Sequence, residues 1–151
     1  MDGAIPNPVR VILLEPQNAL NVGAALRACA NMGIFDLVLV RPADYSPDSC
    51  ARTAPNLDRE WSELLVYDSL EEATNDISYL AGFSARRRRA NIKQIDLHEL
   101  PADIPRNASA SIGLLFGRED FGLPNPALDR CHVHVSIETG TDYASLNLAQ
   151  A

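Results

Sequence analysis

Leu115-Phe116-Gly117-Arg118-Glu119-Asp120-Phe121-Gly122-Leu123-Pro124 runs from an apolar stretch into a charged, glycine-bounded loop. Ile112 to Phe116 reads as a buried strand, and Gly117 and Gly122 punctuate the turn that follows. Pro124 and Pro126 are expected to stop a helix from starting early. In an open α/β sheet, ligands bind just beyond the carboxyl ends of strands. The chemistry on offer there is electrostatic: an arginine fork grips an oxyanion, and a carboxylate orients a cation or donor. The plainer reading is a structural turn carrying a solvated Arg118–Glu119 ion pair, which would contribute little.

Two other segments resist explanation by packing. Asn21-Val22-Gly23-Ala24-Ala25-Leu26-Arg27 places an amide and a guanidinium near the start of a helix. Tyr143-Ala144-Ser145-Leu146-Asn147-Leu148-Ala149 places a hydroxyl and an amide at another helix start. All three segments lie beside expected strand ends, so a sheet could bring them together.

The elements that must position them are legible in outline. Val9 to Leu14 is a β-type run ended by Glu15-Pro16. Asn18 or Asn21 can cap a helix whose apolar face is Val22, Ala25, Leu26, Cys29 and Met32, with Gly33 at its C-terminal end. Asp36 to Val40 is the next strand. Residues 42–60 are polar and proline-rich, a long loop with one helical turn. Leu64 to Tyr67 is a third strand, and Ser69 with Glu72 resembles a capping box. Ile77 to Phe83, Ser111 to Phe116 and Val133 to Ile137 are further strands, and Ser145 begins a last helix. Strands alternating with helices predict an α/β domain with a mostly parallel sheet flanked by helices. The chain ends inside its last helix without a stop signal. Residues 1–151 therefore read as one domain, cut before a C-terminal extension.

Composition narrows the classes. The 151 residues are 46% hydrophobic and 22% charged, enough for one sizeable core. The net charge of −7 argues against nucleic-acid binding over the whole surface, while leaving room for a local basic site. Arg86, Arg87, Arg88 and Arg89 form such a site, although a charge run is as often a solvated loop. Cys29, Cys50 and Cys131 are odd in number and widely spaced, which fits a reducing compartment. No signal peptide or membrane-length apolar run is visible, and a cytoplasmic protein is expected.

Several chemistries lack their sequence marks. The first strand is followed by one glycine within Glu15 to Gly23, without the GxGxxG of dinucleotide sites. Neither a phosphate-binding GxxxxGK[ST] loop nor a GxSxG elbow occurs. His132 and His134 lie two apart beside Cys131, but nothing completes a ligand set, and no metal is expected.

The motifs N-x-G-x-x-x-R (Asn21 to Arg27), F-G-R-E-x-x-G-L (Phe116 to Leu123) and S-L-N-L-A (Ser145 to Ala149) resemble those of the TrmH (SpoU) branch of the SPOUT RNA methyltransferases. Asp129-Arg130-Cys131-His132-Val133-His134-Val135 and the short lead-in are most similar to the TrmJ-type tRNA methyltransferases of that branch. The resemblance covers residues 9–151. Each motif alone is weak; three in order, each at a strand end, are specific. The resemblance implies a trefoil-knotted fold, S-adenosyl-L-methionine as methyl donor, a 2′-O-methylated ribose as product, and a homodimer with its active sites at the interface.

It also implies roles. Arg27 would contact the 2′-hydroxyl. A guanidinium is always protonated, so stabilising the developing alkoxide or gripping a phosphate suits it better than acting as a base. Glu119 would orient Arg27 or Arg118, and Ser145 and Asn147 would serve catalysis from the helix start or act as plain caps. Phe83, Ser84, Ala85, Gly117, Ile137, Ala144, Ser145 and Leu146 would surround the cofactor, with Gly117 letting it approach the backbone. Asn21, Arg86, Arg87, Arg88, Arg89 and Arg118 would meet RNA, unless Asn21 only caps its helix. The arginine run is longer than is usual in the family. The expected substrate is tRNA, in the anticodon-loop region. Ribosomal RNA, a non-catalytic RNA- or nucleotide-binding module of the same fold, and a nucleotide-dependent oxidoreductase are the alternatives, the last lacking its glycine fingerprint.

Overall fold

The computed structural model describes residues 8–85, 91–107, 110–140 and 146–151. Seven strands form one sheet: β1 (Val9–Leu14), β2 (Asp36–Val40), β3 (Leu65–Tyr67), β4 (Tyr79–Phe83), β5 (Lys93–Asp96), β6 (Ile112–Phe116) and β7 (Val133–Ser136). Their order is β3-β2-β1-β6-β4-β7-β5, and every pairing is parallel. Parallel sheets need cover on both faces, which is why β1, β2 and β4 are near-continuous apolar runs rather than alternating ones.

Among the described residues, six α-helices supply the cover. These are α1 (Ala19–Asn31), α2 (Pro47–Cys50), α3 (Asp58–Ser62), α4 (Leu70–Thr74), α5 (Leu100–Asp103) and α6 (Asn125–Arg130). On one face, Val22, Ala25, Leu26 and Cys29 of α1 pack on Val11, Leu13, Leu37 and Leu39. On the other, Leu70 and Ala73 of α4 and Ala127 and Leu128 of α6 pack on Ile12, Val38, Leu80 and Leu115. Leu100 of α5 joins Tyr79, Ile95, Ile112 and Val133.

Local chemistry sets the helix ends. Asn18, not Asn21, caps α1, its side chain accepting the Leu20 amide at 2.9 Å. Gly33, at φ +72°, closes the helix with Ile34 N–H donating to Cys29 O, the six-residue closure that a left-handed residue permits. Ser69 Oγ accepts the Glu72 amide at 3.2 Å, as the sequence predicts.

Four expectations change. The long loop holds two short helices, α2 and α3, rather than one turn. The prolines after β6 do not hold off a helix: α6 starts at Asn125 with Pro126 in its first turn, where the missing N–H has no partner to lose. Lys93–Asp96 is a strand that its polar sequence concealed. Ser145 lies outside the described residues, and Leu146–Ala151 carry a turn rather than a helix.

Candidate active site

The carboxyl ends of β4, β6 and β7 open into a cavity of about 230 Å³. Its floor is apolar. Phe83 and Phe116 are register partners on β4 and β6, and their rings stack at 4.5 Å with planes 14° apart. Val135, Ile137, Leu146 and Leu148 continue the wall, and Ser84, Ala85 and the loop Gly117–Gly122 form the rim. The β4–β7 pairing runs on past the strand, since Ser84 N–H donates to Val135 O at 3.1 Å.

The rim loop is closed on itself. Arg118 and Gly122 exchange backbone hydrogen bonds of 3.2 and 2.7 Å, with Gly122 at φ +81°. A side chain at Gly117 would put its Cβ 2.2 Å from the Gly122 carbonyl. Gly117 is therefore required by the turn itself, a different reason from the close cofactor approach that the sequence suggested.

Glu119 points away from its charged neighbours. Its carboxylate accepts the backbone amides of Gln17 at 2.9 Å and Asn18 at 3.3 Å, and the Asn21 side-chain amide at 3.3 Å. Asn21 in turn accepts from the Asn147 side-chain amide at 3.0 Å. Asn147 also caps its own turn, Oδ1 accepting the Ala149 N–H at 3.0 Å. Three segments distant in sequence thus meet through Glu119, Asn21 and Asn147.

The expected Arg118–Glu119 ion pair does not form. Arg118 instead clasps Asp120 through two bonds of 2.9 and 2.8 Å. The hydrogen bond to Arg118 holds the Asp120 carboxyl below the usual carboxylate range.

The family model described as the SpoU rRNA Methylase family matches residues 8–151. The chain belongs to that family. A TrmJ of Pseudomonas aeruginosa, a tRNA (cytidine/uridine/adenosine-2′-O-)-methyltransferase, is 37% identical over 145 residues, covering 95% of this chain and 56% of its own length. The chain thus spans a little over half of that relative. A probable methylase family protein of Haemophilus influenzae superposes with a TM-score of 0.84 at 32% identity, over 97% of this chain and 62% of that one. TrmJ from Z. mobilis superposes with 0.83 at 28% identity, over 93% and 63%.

Within this SpoU domain, Phe83, Ser84, Ala85, Gly117, Ile137 and Leu146 all line the cavity, as does Arg118. Ala144, Ser145 and Arg86 to Arg89 lie outside the described residues. Arg27 stands apart. It is exposed on α1, about 9 Å further along the axis than Asn21 at 1.5 Å per residue, and has no partner among the described residues. Among the described residues, the hydrogen bonds of Glu119 go to the start of α1 rather than to Arg27 or Arg118.

Sequence reasoning missed Asp120, Phe121 and the amides of Gln17 and Asn18. Phe121 is 48% exposed at the cavity rim. The two histidines that resembled a metal pair serve the backbone: His132 Nδ1 accepts the Leu80 amide at 2.9 Å, and His134 Nε2 meets Leu128 O at 3.0 Å. Asp96, His98 and Glu99 cluster at the end of β5, but Asp96 and Glu99 are engaged in a capping box and Ser136 Oγ donates to Asp96. Among the described residues no helix is long and apolar enough to cross a membrane.

Proposed function

We propose that this chain methylates the 2′-hydroxyl of a ribose in RNA, tRNA foremost, with S-adenosyl-L-methionine as donor. The observation that carries the reading is the meeting of Asn21, Glu119 and Asn147 beside a cavity at the carboxyl ends of parallel strands. The name of the P. aeruginosa relative, a tRNA 2′-O-methyltransferase, supports it.

The residues present suit the donor. Stacked Phe83 and Phe116, with Ile137 and Leu146, offer an apolar bed for a flat base. When bound, S-adenosyl-L-methionine supplies an electrophilic methyl group. The protein's task is alignment, because an in-line displacement depends on holding oxygen, methyl and sulfur in position. Glu119 locks the β1–α1 corner to the rim loop, and Asn147 ties the C-terminal turn to the same corner through Asn21. Arg118 grips the strand through phosphate. Arg27 stabilises charge on the attacking oxygen.

Arg27 stands clear of its own chain's cavity, which supports a homodimer with active sites at the subunit interface. The trefoil knot and a cytoplasmic location belong to the same reading. Arg86 to Arg89 would add phosphate contacts.

The test is calorimetric titration with S-adenosyl-L-methionine, with NAD as control, followed by transfer of labelled methyl to tRNA and nucleoside analysis. The expected product is a 2′-O-methylated nucleoside. Transfer to ribosomal RNA alone would move the assignment to that substrate. Donor binding without transfer to either would make this a binding module.

A further inference from the structure

We propose that Asp120 is a built-in stand-in for substrate phosphate, occupying the Arg118 fork until an RNA phosphodiester displaces it. This rests on the RNA reading above.

The geometry is the first argument. Arg118 donates through Nε to Asp120 Oδ1 at 2.9 Å and through Nη2 to Oδ2 at 2.8 Å. Two parallel bonds to two oxygens are the arrangement a guanidinium also makes with phosphate. The carboxylate therefore holds the fork in the shape its ligand needs.

Exchangeability is the second. Arg118 and Asp120 are 37% and 61% exposed, so the pair is reachable and individually weak. The other carboxylates near Arg118 are committed elsewhere. Glu119 holds the Gln17 and Asn18 amides, and Glu15 holds Arg41 at 2.8 Å. Asp120 is the acceptor that can leave. Arg118 and Asp120 both line the cavity, so the exchange would occur at its rim.

The consequence is a raised threshold for binding. A displaced Asp120 leaves a bare carboxylate beside the incoming phosphate, which penalises every RNA equally. Only RNAs held by additional contacts overcome that penalty.

The test measures affinity for tRNA and for an unrelated single-stranded RNA across a salt series, with the wild-type protein, D120N, R118A and the double variant. Donor titration checks that each cavity is intact. D120N is expected to bind both RNAs about two- to fivefold more tightly, the range of an exposed ion pair. Its salt dependence should steepen by about one phosphate contact. R118A should bind less tightly, and adding D120N to it should gain nothing. Weaker binding by D120N would show that Asp120 only braces Arg118, and a gain that persists without Arg118 would reduce it to general repulsion. Either overturns the exchange while leaving the RNA reading intact. RNA binding by none of the four proteins, with donor binding preserved, would overturn both.

Discussion

Asn147 donates its side-chain amide to the Asn21 oxygen at 3.0 Å, across 126 positions of sequence. That bond ties the C-terminal turn to the helix on which Arg27 also sits. Asn147→Ala is expected to cut kcat/KM by about tenfold, the loss of one well-placed hydrogen bond in the transition state. Because the bond is exposed, the thermal midpoint should move by no more than about 2–4 °C. Steady-state kinetics beside a melting curve separates the two, and an unchanged kcat/KM would make the bond purely structural.

Arg27→Ala should leave donor affinity intact, since Arg27 does not line the cavity. Methyl transfer should fall about 10²–10³-fold, the usual effect of removing a donor from a developing oxyanion. Near-normal turnover would remove Arg27 from catalysis.

Gly117→Ala would drive a Cβ into the Gly122 carbonyl and the Leu123 nitrogen, at 2.2 and 2.5 Å. The neighbours are backbone and cannot rotate away. The rim loop must open, at a cost of about 1–3 kcal/mol. Lower thermal stability together with weaker donor binding is expected. Retention of both would show that the loop relaxes freely.

Asp103 gives the protein an acid-sensitive brace. It accepts from the Tyr79 hydroxyl at 2.6 Å and from Lys93, and the Lys93 hydrogen bond is the main reason its carboxyl is held below the usual range. A depressed carboxyl stabilises the fold above its ordinary pKa. That contribution fades as pH falls through the ordinary carboxylate value toward the lowered one. Urea midpoints of the wild type and Asp103→Asn should differ at pH 7 and draw together as pH falls below the ordinary carboxylate value. A difference that does not depend on pH would mean the charge is irrelevant.

What was legible in the sequence follows the range of the forces involved. β1, β2 and Ser69 at the start of α4 are local matters of apolar runs and capping, and they stand where expected. Lys93–Asp96 was not legible because only Ile95 is buried there, on an edge strand. α6 was concealed because a proline in the first turn of a helix looks like a proline that breaks one. Gathering Phe83, Ser84 and Gly117 around one cavity follows from strand ends in a parallel sheet. Which carboxylate Arg118 takes, and that Glu119 turns instead toward Gln17 and Asn18, depends on the closure of a five-residue loop, which no spacing rule contains.

β6 lies between β1 and β4, although both are synthesised before it. Val9 pairs with Ile112, so the middle of the sheet is missing while most of the chain is already made. At roughly 5–20 residues per second, the slot between β1 and β4 stays open for about 2–7 s, the time to make the chain from Phe83 to Phe116. During that time the flanking strands expose unsatisfied edges, and consolidation waits for one late segment. Such long-range closure makes for slow folding. The segment that completes the sheet is also the one that delivers Gly117 to Gly122, so the rim of the cavity and the finished fold arrive in a single event.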